Sequence, residues 1–181
     1  MRIIGGFYRG RKIKSPAGTD TRPTPDMVRE ALFNIISPVV ADSVFLDIYA
    51  GTGAVGLEAL SRGARFTAFI EKDAAACRLI KDNLANLGLR NKALVIKSDA
   101  LEGLKKLEKN GLSFDIIFMD PPYHKNMTGC CLTHLINSGL IKAGGVVIVQ
   151  HSEDEKVEQA GFCCIKKRRY GRTMLTFFTR E

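Results

Sequence analysis

The stretch Val44-Phe45-Leu46-Asp47-Ile48-Tyr49-Ala50-Gly51-Thr52-Gly53-Ala54-Val55-Gly56 joins an apolar, β-rich run to a literal Gly-x-Gly-x-x-Gly and then to a helical segment. Glycines at a strand-to-helix turn allow a tight reversal and let a nucleotide approach the backbone closely. Outward from this point, the chain after about residue 40 alternates short apolar runs with helical segments. Strands are expected at 44–47, 66–70, 93–96, 115–119 and 145–150, and helices at 54–61, 73–87, 100–109 and 128–137. The alternation predicts a parallel sheet covered by helices. The helix at 73–87 has the sharpest bounds, with Asp73 as N-cap, Ile80, Leu84 and Leu87 at helical spacing, and Gly88 as its stop. In the last third, 163–169 and 174–179 flank Tyr170-Gly171, a hairpin connection that ends the sheet with an antiparallel pair. Short helical residues at 154–159 are expected to lead into it. The whole is an α/β, Rossmann-like, seven-stranded sheet with one antiparallel strand and helices on both faces, a design that binds ligands at the carboxyl ends of its strands.

Residues 1–21 differ in character from residues 22–181. Arg2-Ile3-Ile4-Gly5-Gly6-Phe7-Tyr8, followed by Arg9-Gly10-Arg11-Lys12-Ile13, reads as a basic, glycine-turned β-ribbon arm running into a polar stretch. Thr24 and Pro25 then supply an N-cap and a first-turn proline for a helix with Val28, Ala31, Leu32, Ile35 and Ile36 as its apolar stripe.

Composition narrows the partner. The 181 residues carry a net charge of +8 and are 45% hydrophobic, which fits one domain with a sizeable core and a polyanionic partner, nucleic acid ahead of anionic membrane. No apolar run approaches the roughly 18 residues of a spanning helix, and the amino terminus lacks the apolar stretch of a signal peptide, so a cytoplasmic protein is expected. The cysteines Cys77, Cys130, Cys131, Cys163 and Cys164 show no Cys-x-x-Cys spacing and read as reduced, mostly buried thiols. With His124, His134 and His151 spread among them, no structural metal is expected.

Acidic residues follow the strands at useful places. Glu71, about 20 residues past Gly51, can accept both ribose hydroxyl protons of a nucleoside cofactor. Asp99 can accept the adenine amino hydrogen, cap the following helix, or do both. Spacing alone leaves NAD and S-adenosylmethionine open. The acids favour the second, because Asp47 suits an ammonium or sulfonium and opposes a pyrophosphate. After the fourth strand, Asp120-Pro121-Pro122-Tyr123 presents a carboxylate, carbonyls stiffened by two prolines, and an aromatic ring. That set suits a planar group bearing an amino substituent, which a nucleobase offers.

The run Leu46-Asp47-Ile48-Tyr49-Ala50-Gly51-Thr52-Gly53, Asp99 and Asp120-Pro121-Pro122-Tyr123 together resemble the S-adenosylmethionine-dependent amino-methyltransferases of class I. More narrowly, the chain resembles the bacterial small-subunit (16S) ribosomal RNA guanine-N2 methyltransferase family. The narrower resemblance is carried by Arg2-Ile3-Ile4-Gly5-Gly6, by Arg22-Pro23-Thr24-Pro25-Asp26-Met27-Val28-Arg29-Glu30-Ala31-Leu32-Phe33, and by Gly56-Leu57-Glu58-Ala59-Leu60-Ser61-Arg62-Gly63-Ala64. Met27 stands where that family often has a basic or polar residue. The resemblance covers essentially the whole chain and implies a cofactor site formed by Asp47, Tyr49, Ala50, Gly51, Gly53, Glu71, Lys72, Asp99, Ala100 and Asp120. Arg22 and Thr24 either face the cofactor carboxylate from a helix amino terminus or simply cap that helix.

The expected chemistry is methyl transfer to an exocyclic amine. Asp120 and the Pro121 carbonyl would accept the two amino hydrogens and aim the nitrogen lone pair, Pro122 would stiffen the loop, and Tyr123 would stack on an unpaired or flipped base. His124 and His151 are either proton acceptors or ordinary structural histidines. Two basic clusters, Arg2, Arg9, Arg11, Lys12 and Lys14 in the arm and Lys166, Lys167, Arg168, Arg169 and Arg172 near the hairpin, are expected to grip RNA phosphates. The implied partner is ribosomal RNA within a small-subunit particle, met by a monomer. The rival readings are a DNA adenine-N6 methyltransferase, for which 181 residues leave little room for a target-recognition region, and a non-catalytic RNA-binding module.

Overall fold

The computed structural model describes residues 1–15, 26–122, 127–157 and 159–180. Along the chain run α1 (Asp26–Val40), β1 (Val44–Ile48), α2 (Ala54–Ser61), β2 (Phe66–Glu71), α3 (Ala74–Asn86), β3 (Ala93–Lys97), α4 (Ala100–Lys109), β4 (Phe114–Met119), α5 (Met127–Asn137), β5 (Ile141–Ser152), β6 (Cys163–Tyr170) and β7 (Thr173–Thr179). The strands form one seven-stranded sheet in the order β3-β2-β1-β4-β5-β7-β6. The pairs among β1 to β5 are parallel, and β7 runs antiparallel to both β5 and β6, so β7 is the reversed strand.

Strand alternation sorts the core into two faces. Leu46, Ile48, Ile117, Met119, Val147 and Val149 point one way and pack with Leu104 and Leu107 of α4 and Leu132 and Leu135 of α5. Phe45, Ile116, Phe118 and Ile148 point the other way, against Leu32, Phe33 and Ile36 of α1 and Val55 and Ala59 of α2. Phe69 extends that second face to Ile80 and Leu84 of α3. Helices cover both faces of the central strands, which is why β1 is buried along its whole length.

Two expectations need correction. The residues expected to be helical at 154–159 are not helical among those described; a turn at 153–154 and an irregular stretch link β5 to β6. The arm is a short, turn-rich ribbon, closed by an antiparallel bridge between Arg2 and Lys12 and by the N–H groups of Ile3 and Ile13, which donate to the Arg11 and Met1 carbonyls at 3.0 and 3.1 Å. It is also tied to α2: Ile4 and Gly5 N–H donate to the Glu58 carboxylate at 2.8 and 2.7 Å, and Phe7 N–H donates to the Ser61 carbonyl at 2.7 Å. Ile3 and Ile13 are buried against α2 and α3. A Cβ on Gly6, at φ 75°, would lie 1.9 Å from the Ser61 carbonyl oxygen, so only glycine permits this approach. Finally, all five cysteines are thiols outside any disulfide, but only Cys77 and Cys131 are buried, since Cys130 lies on the solvent side of α5 and Cys163 and Cys164 on the edge strand.

Helix α1 starts at Asp26, and its stripe is Val28, Leu32 and Ile36 with Phe33 and Val40 added, while Ala31 and Ile35 are half-buried. Thr24, Pro25 and Arg22 lie outside the described residues, as do Tyr123 and His124. Met27 is exposed, so its departure from a polar residue perturbs no packing.

Candidate functional site

At the carboxyl end of β1 the chain turns through Tyr49 (φ 63°), Gly51 (φ 53°) and Gly53 (φ 74°) into α2. A Cβ on Gly53 would meet Ile80 at 2.9 Å and one on Gly56 would meet the Phe69 ring at 2.3 Å, so these two glycines let α2 and α3 close onto the sheet. Gly51 has open space around it, and its glycine serves the backbone conformation. The loop is tied down by Glu71, whose Oε2 accepts from the Gly51 N–H at 2.7 Å while Oε1 accepts from the Asp73 N–H at 2.8 Å. Ala50 donates its N–H to the Ile70 carbonyl at 3.1 Å, and Lys72 is exposed beside Glu71. Tyr49, half-buried, shares a 3.4 Å hydrogen bond with the Cys131 thiol of α5; burial and that bond push its hydroxyl pKa up, so it stays protonated. Asp99 caps α4, accepting from the Glu102 N–H at 3.1 Å, and the next residue, Ala100, is buried.

Asp47 lies beneath the loop, 2% exposed, with Oδ2 accepting from the Gly56 N–H of α2 at 2.9 Å. Desolvation is the main reason its pKa rises from 3.8 to about 8; the Gly56 hydrogen bond opposes the rise and the Asp120 and Glu71 carboxylates add to it. A carboxyl so placed is a stored response to a cation, because an arriving positive charge favours its ionised form.

Asp120 follows β4 on the same face of the sheet as Asp47, given the pairing of Asp47 with Phe118. Its Oδ2 accepts from the amide Nε2 of Gln150 on neighbouring β5 at 2.9 Å. Pro121 is buried and Pro122 exposed. His151, next along β5, points to the opposite face. Its Nε2 lies 2.8 Å from the Thr176 hydroxyl and its Nδ1 2.8 Å from the Ser152 carbonyl, which requires the Nδ1–H tautomer. Burial lowers its pKa, so the ring is neutral and engaged in structure, away from Asp120.

The basic residues separate by strand register. Arg168 pairs with Leu175, which pairs with Gln150, so Arg168 shares the face and level of Gln150 two strand spacings, or roughly 10 Å, away. Lys167 and Arg169 point to the other face, and Lys166 lines a 630 Å³ groove around Ile36, Asp115 and Gly145 at the amino ends of the strands. Arg169 pairs with Glu153 at 2.9 Å and Arg172 with Asp154 at 3.8 Å. In the arm, Lys14 pairs with Asp82 at 3.3 Å and Arg11 reaches the Asn86 carbonyl, while Arg2, Arg9 and Lys12 are exposed.

A scan of family models matches the conserved hypothetical protein 95 family over residues 1–179. Over 150 residues the chain is 40% identical to the ribosomal RNA small subunit methyltransferase D of Escherichia coli K12, covering 83% of this chain and 74% of that one. It is 36% identical over 183 residues to the putative rRNA methyltransferase YlbH of Bacillus subtilis, covering both chains completely. Its fold matches that of the putative methyltransferase yhhF from Escherichia coli with a TM-score of 0.89 and 34% identity, over 100% of this chain and 98% of that one. The chain belongs to the conserved hypothetical protein 95 family and is kin to the small-subunit ribosomal RNA methyltransferases D.

Membership explains why the three segments that carried the resemblance meet in space. The fully buried Glu58 gathers Ile4 and Gly5 of the first segment, Arg62 at 2.8 Å within its own, and Arg29 of the α1 segment at 3.7 Å. Arg29, also fully buried, donates to the Arg2 carbonyl at 2.8 Å and to Asp26 at 3.0 Å. Sequence reasoning missed Arg29, Glu58 and Gln150 as site-building residues. Each carried a signal: Arg29 lies within the apolar stripe, Glu58 is the ionisable residue in an otherwise uncharged buried helix, and Gln150 ends the run Val146-Val147-Ile148-Val149.

Proposed function

We propose that this protein transfers a methyl group from S-adenosylmethionine to the exocyclic N2 amine of a guanine in small-subunit ribosomal RNA. The observation that carries the proposal is the Asp120 carboxylate, fixed at the carboxyl end of β4 and sharing a face with buried Asp47 beside the glycine loop. The relatives named for ribosomal RNA methylation and the net charge of +8 support the substrate class.

The residues present fit the cofactor. Glu71 supplies an acceptor where the ribose would lie, Asp47 a carboxyl that ionises when an ammonium lies above it, Asp99 offers an acceptor at the start of α4, and open Gly51 leaves the backbone approachable. Tyr49, Ala50, Gly53, Lys72 and Ala100 complete the lining, with Arg22 and Thr24 assigned to the carboxylate end. S-adenosylmethionine, when bound, supplies an electrophilic methyl group. The chain's own task is the nucleophile. The lone pair of an aryl amine is delocalised into the ring, and Asp120 with the Pro121 carbonyl accept the two amino hydrogens so that the nitrogen pyramidalises toward the methyl. Pro122 restricts the loop and Tyr123 stacks on the base, offsetting part of the cost of flipping it out. Phosphate contacts come from Arg168 on the Asp120 face, with Arg169, Arg172, Lys166 and Lys167 elsewhere on β6 and its hairpin, and from Arg2, Arg9, Arg11, Lys12 and Lys14 of the arm. The substrate is RNA within a small-subunit particle, and the protein acts as a cytoplasmic monomer.

Replacing Asp120 with Ala is expected to retain cofactor binding and to lower turnover by about 100-fold or more, in line with removal of a charge-positioning acceptor. Calorimetric cofactor binding and incorporation of labelled methyl into small subunits measure the two. Near-normal turnover in Asp120→Ala would sink the assignment.

A further inference from the structure

We propose that Gln150 is the positioning residue for Asp120, holding its carboxylate in the one orientation that receives the substrate amine; the inference rests on the reading of Asp120 given above. Asp120 follows the last residue of β4 and precedes Pro121, so backbone pairing has already ended where its side chain must be oriented. Gln150 has no such freedom. It lies within β5, paired on one flank with Leu175 of β7, and the preceding residue, Val149, pairs with Met119 on the other. Its side chain is 4% exposed, and its Nε2 donates 2.9 Å to Asp120 Oδ2. Because a carboxylate oxygen only accepts, the amide must turn its nitrogen toward Asp120. That turn leaves Oε1 buried with no donor among the described residues. A methionine or leucine would fill the same space without burying an unpaired carbonyl, so the amide disfavours the packing and serves the Asp120 contact instead.

The choice of a neutral donor also fits the task. A lysine or arginine here would draw charge from the acceptor, and a glutamate would share a proton with it. Gln150 orients the carboxylate and leaves it an acceptor, within the few tenths of an ångström that near-attack geometry demands.

The test uses the full chain, tritiated S-adenosylmethionine and small ribosomal subunits from a strain lacking this enzyme, with Q150M, Q150E and D120A measured beside the parent. Q150M keeps the volume and removes the donor; its kcat is expected to fall at least ten-fold while KM for the cofactor stays within two-fold and the melting temperature does not drop. Q150E is expected to move the acid limb of the kcat–pH profile upward, because the two carboxyls share a proton, and to leave kcat well below the parent's at high pH, where both are ionised and the donor is gone. Wild-type kcat and acid limb in either variant would overturn the proposal, as would a loss of kcat that tracks a lowered melting temperature with no change in the pH profile. Should Q150M not fold, the Q150E pH profile decides by the same criteria. If D120A turns over normally, the reading of Asp120 has failed; if D120A is inactive while both Gln150 variants are normal, only the role of Gln150 has.

Discussion

At Asp47, burial and function are coupled through a proton. With its pKa raised to about 8, the carboxyl is protonated at pH 7, and ionisation is favoured once a cation lies above it. Binding of S-adenosylmethionine should therefore release a proton, and affinity should climb as pH rises toward 8 and level off above it. The same shift has a sign for stability: the folded pKa exceeds the ordinary 3.8, so the contribution of Asp47 is fully present below pH 3.8 and is lost as pH rises through about 8. Calorimetry in buffers of different ionisation enthalpy measures the proton, and D47N should abolish both the release and the pH slope of affinity. Proton release unchanged in D47N would assign it to another group.

At the level of elements, the arm, α1 and α2 are held by one buried polar junction. Removing Glu58 would leave buried Arg29 with the half-exposed Asp26 as its remaining carboxylate partner and free the N–H groups of Ile4 and Gly5, so Glu58→Ala should cost about 3–5 kcal/mol. In Glu58→Gln the loss should be smaller, since the amide oxygen still accepts. Packing of α2 on the sheet depends on Gly56, and Gly56→Ala, whose Cβ would lie 2.3 Å from the Phe69 ring, should cost about 1–3 kcal/mol. Urea midpoints test both. The order of strands and helices was legible because the strands 44–47 and 115–119 are short apolar runs bounded by glycine or acidic residues, and the helix after Asp73 carries its cap and stop in sequence. The arm was legible as a turned ribbon but not in how it docks. Its glycines signalled turns, but nothing local says that its amide hydrogens pair with Glu58 and Ser61, 53 or 54 residues away. Likewise Asp47, Glu71 and Asp99 announced themselves by following strands, whereas Gln150 became part of the site only through the adjacency of β4 and β5, which no short motif encodes.

For the whole molecule, the charge of +8 is spread over both ends of the sheet, and register selects which cations share the face of the acceptor. Arg168 is level with Gln150 and on its side, so Arg168→Ala should weaken binding to small-subunit RNA and reduce the salt slope by about one contact, and Lys166→Ala, at the far end, should change both less. Equal effects from the two would contradict the register argument. The central claim, that Asp120 and its neighbours direct methyl transfer to a guanine amine of small-subunit RNA, is tested most directly by product mapping. The protein is incubated with labelled S-adenosylmethionine and, separately, naked small-subunit RNA, assembled small subunits and DNA, and the labelled nucleoside is identified. The account predicts N2-methylguanosine at one position of the small-subunit RNA, strongest in the assembled particle and lost in Asp120→Ala. Label in DNA alone, or on an adenine amine, would contradict it.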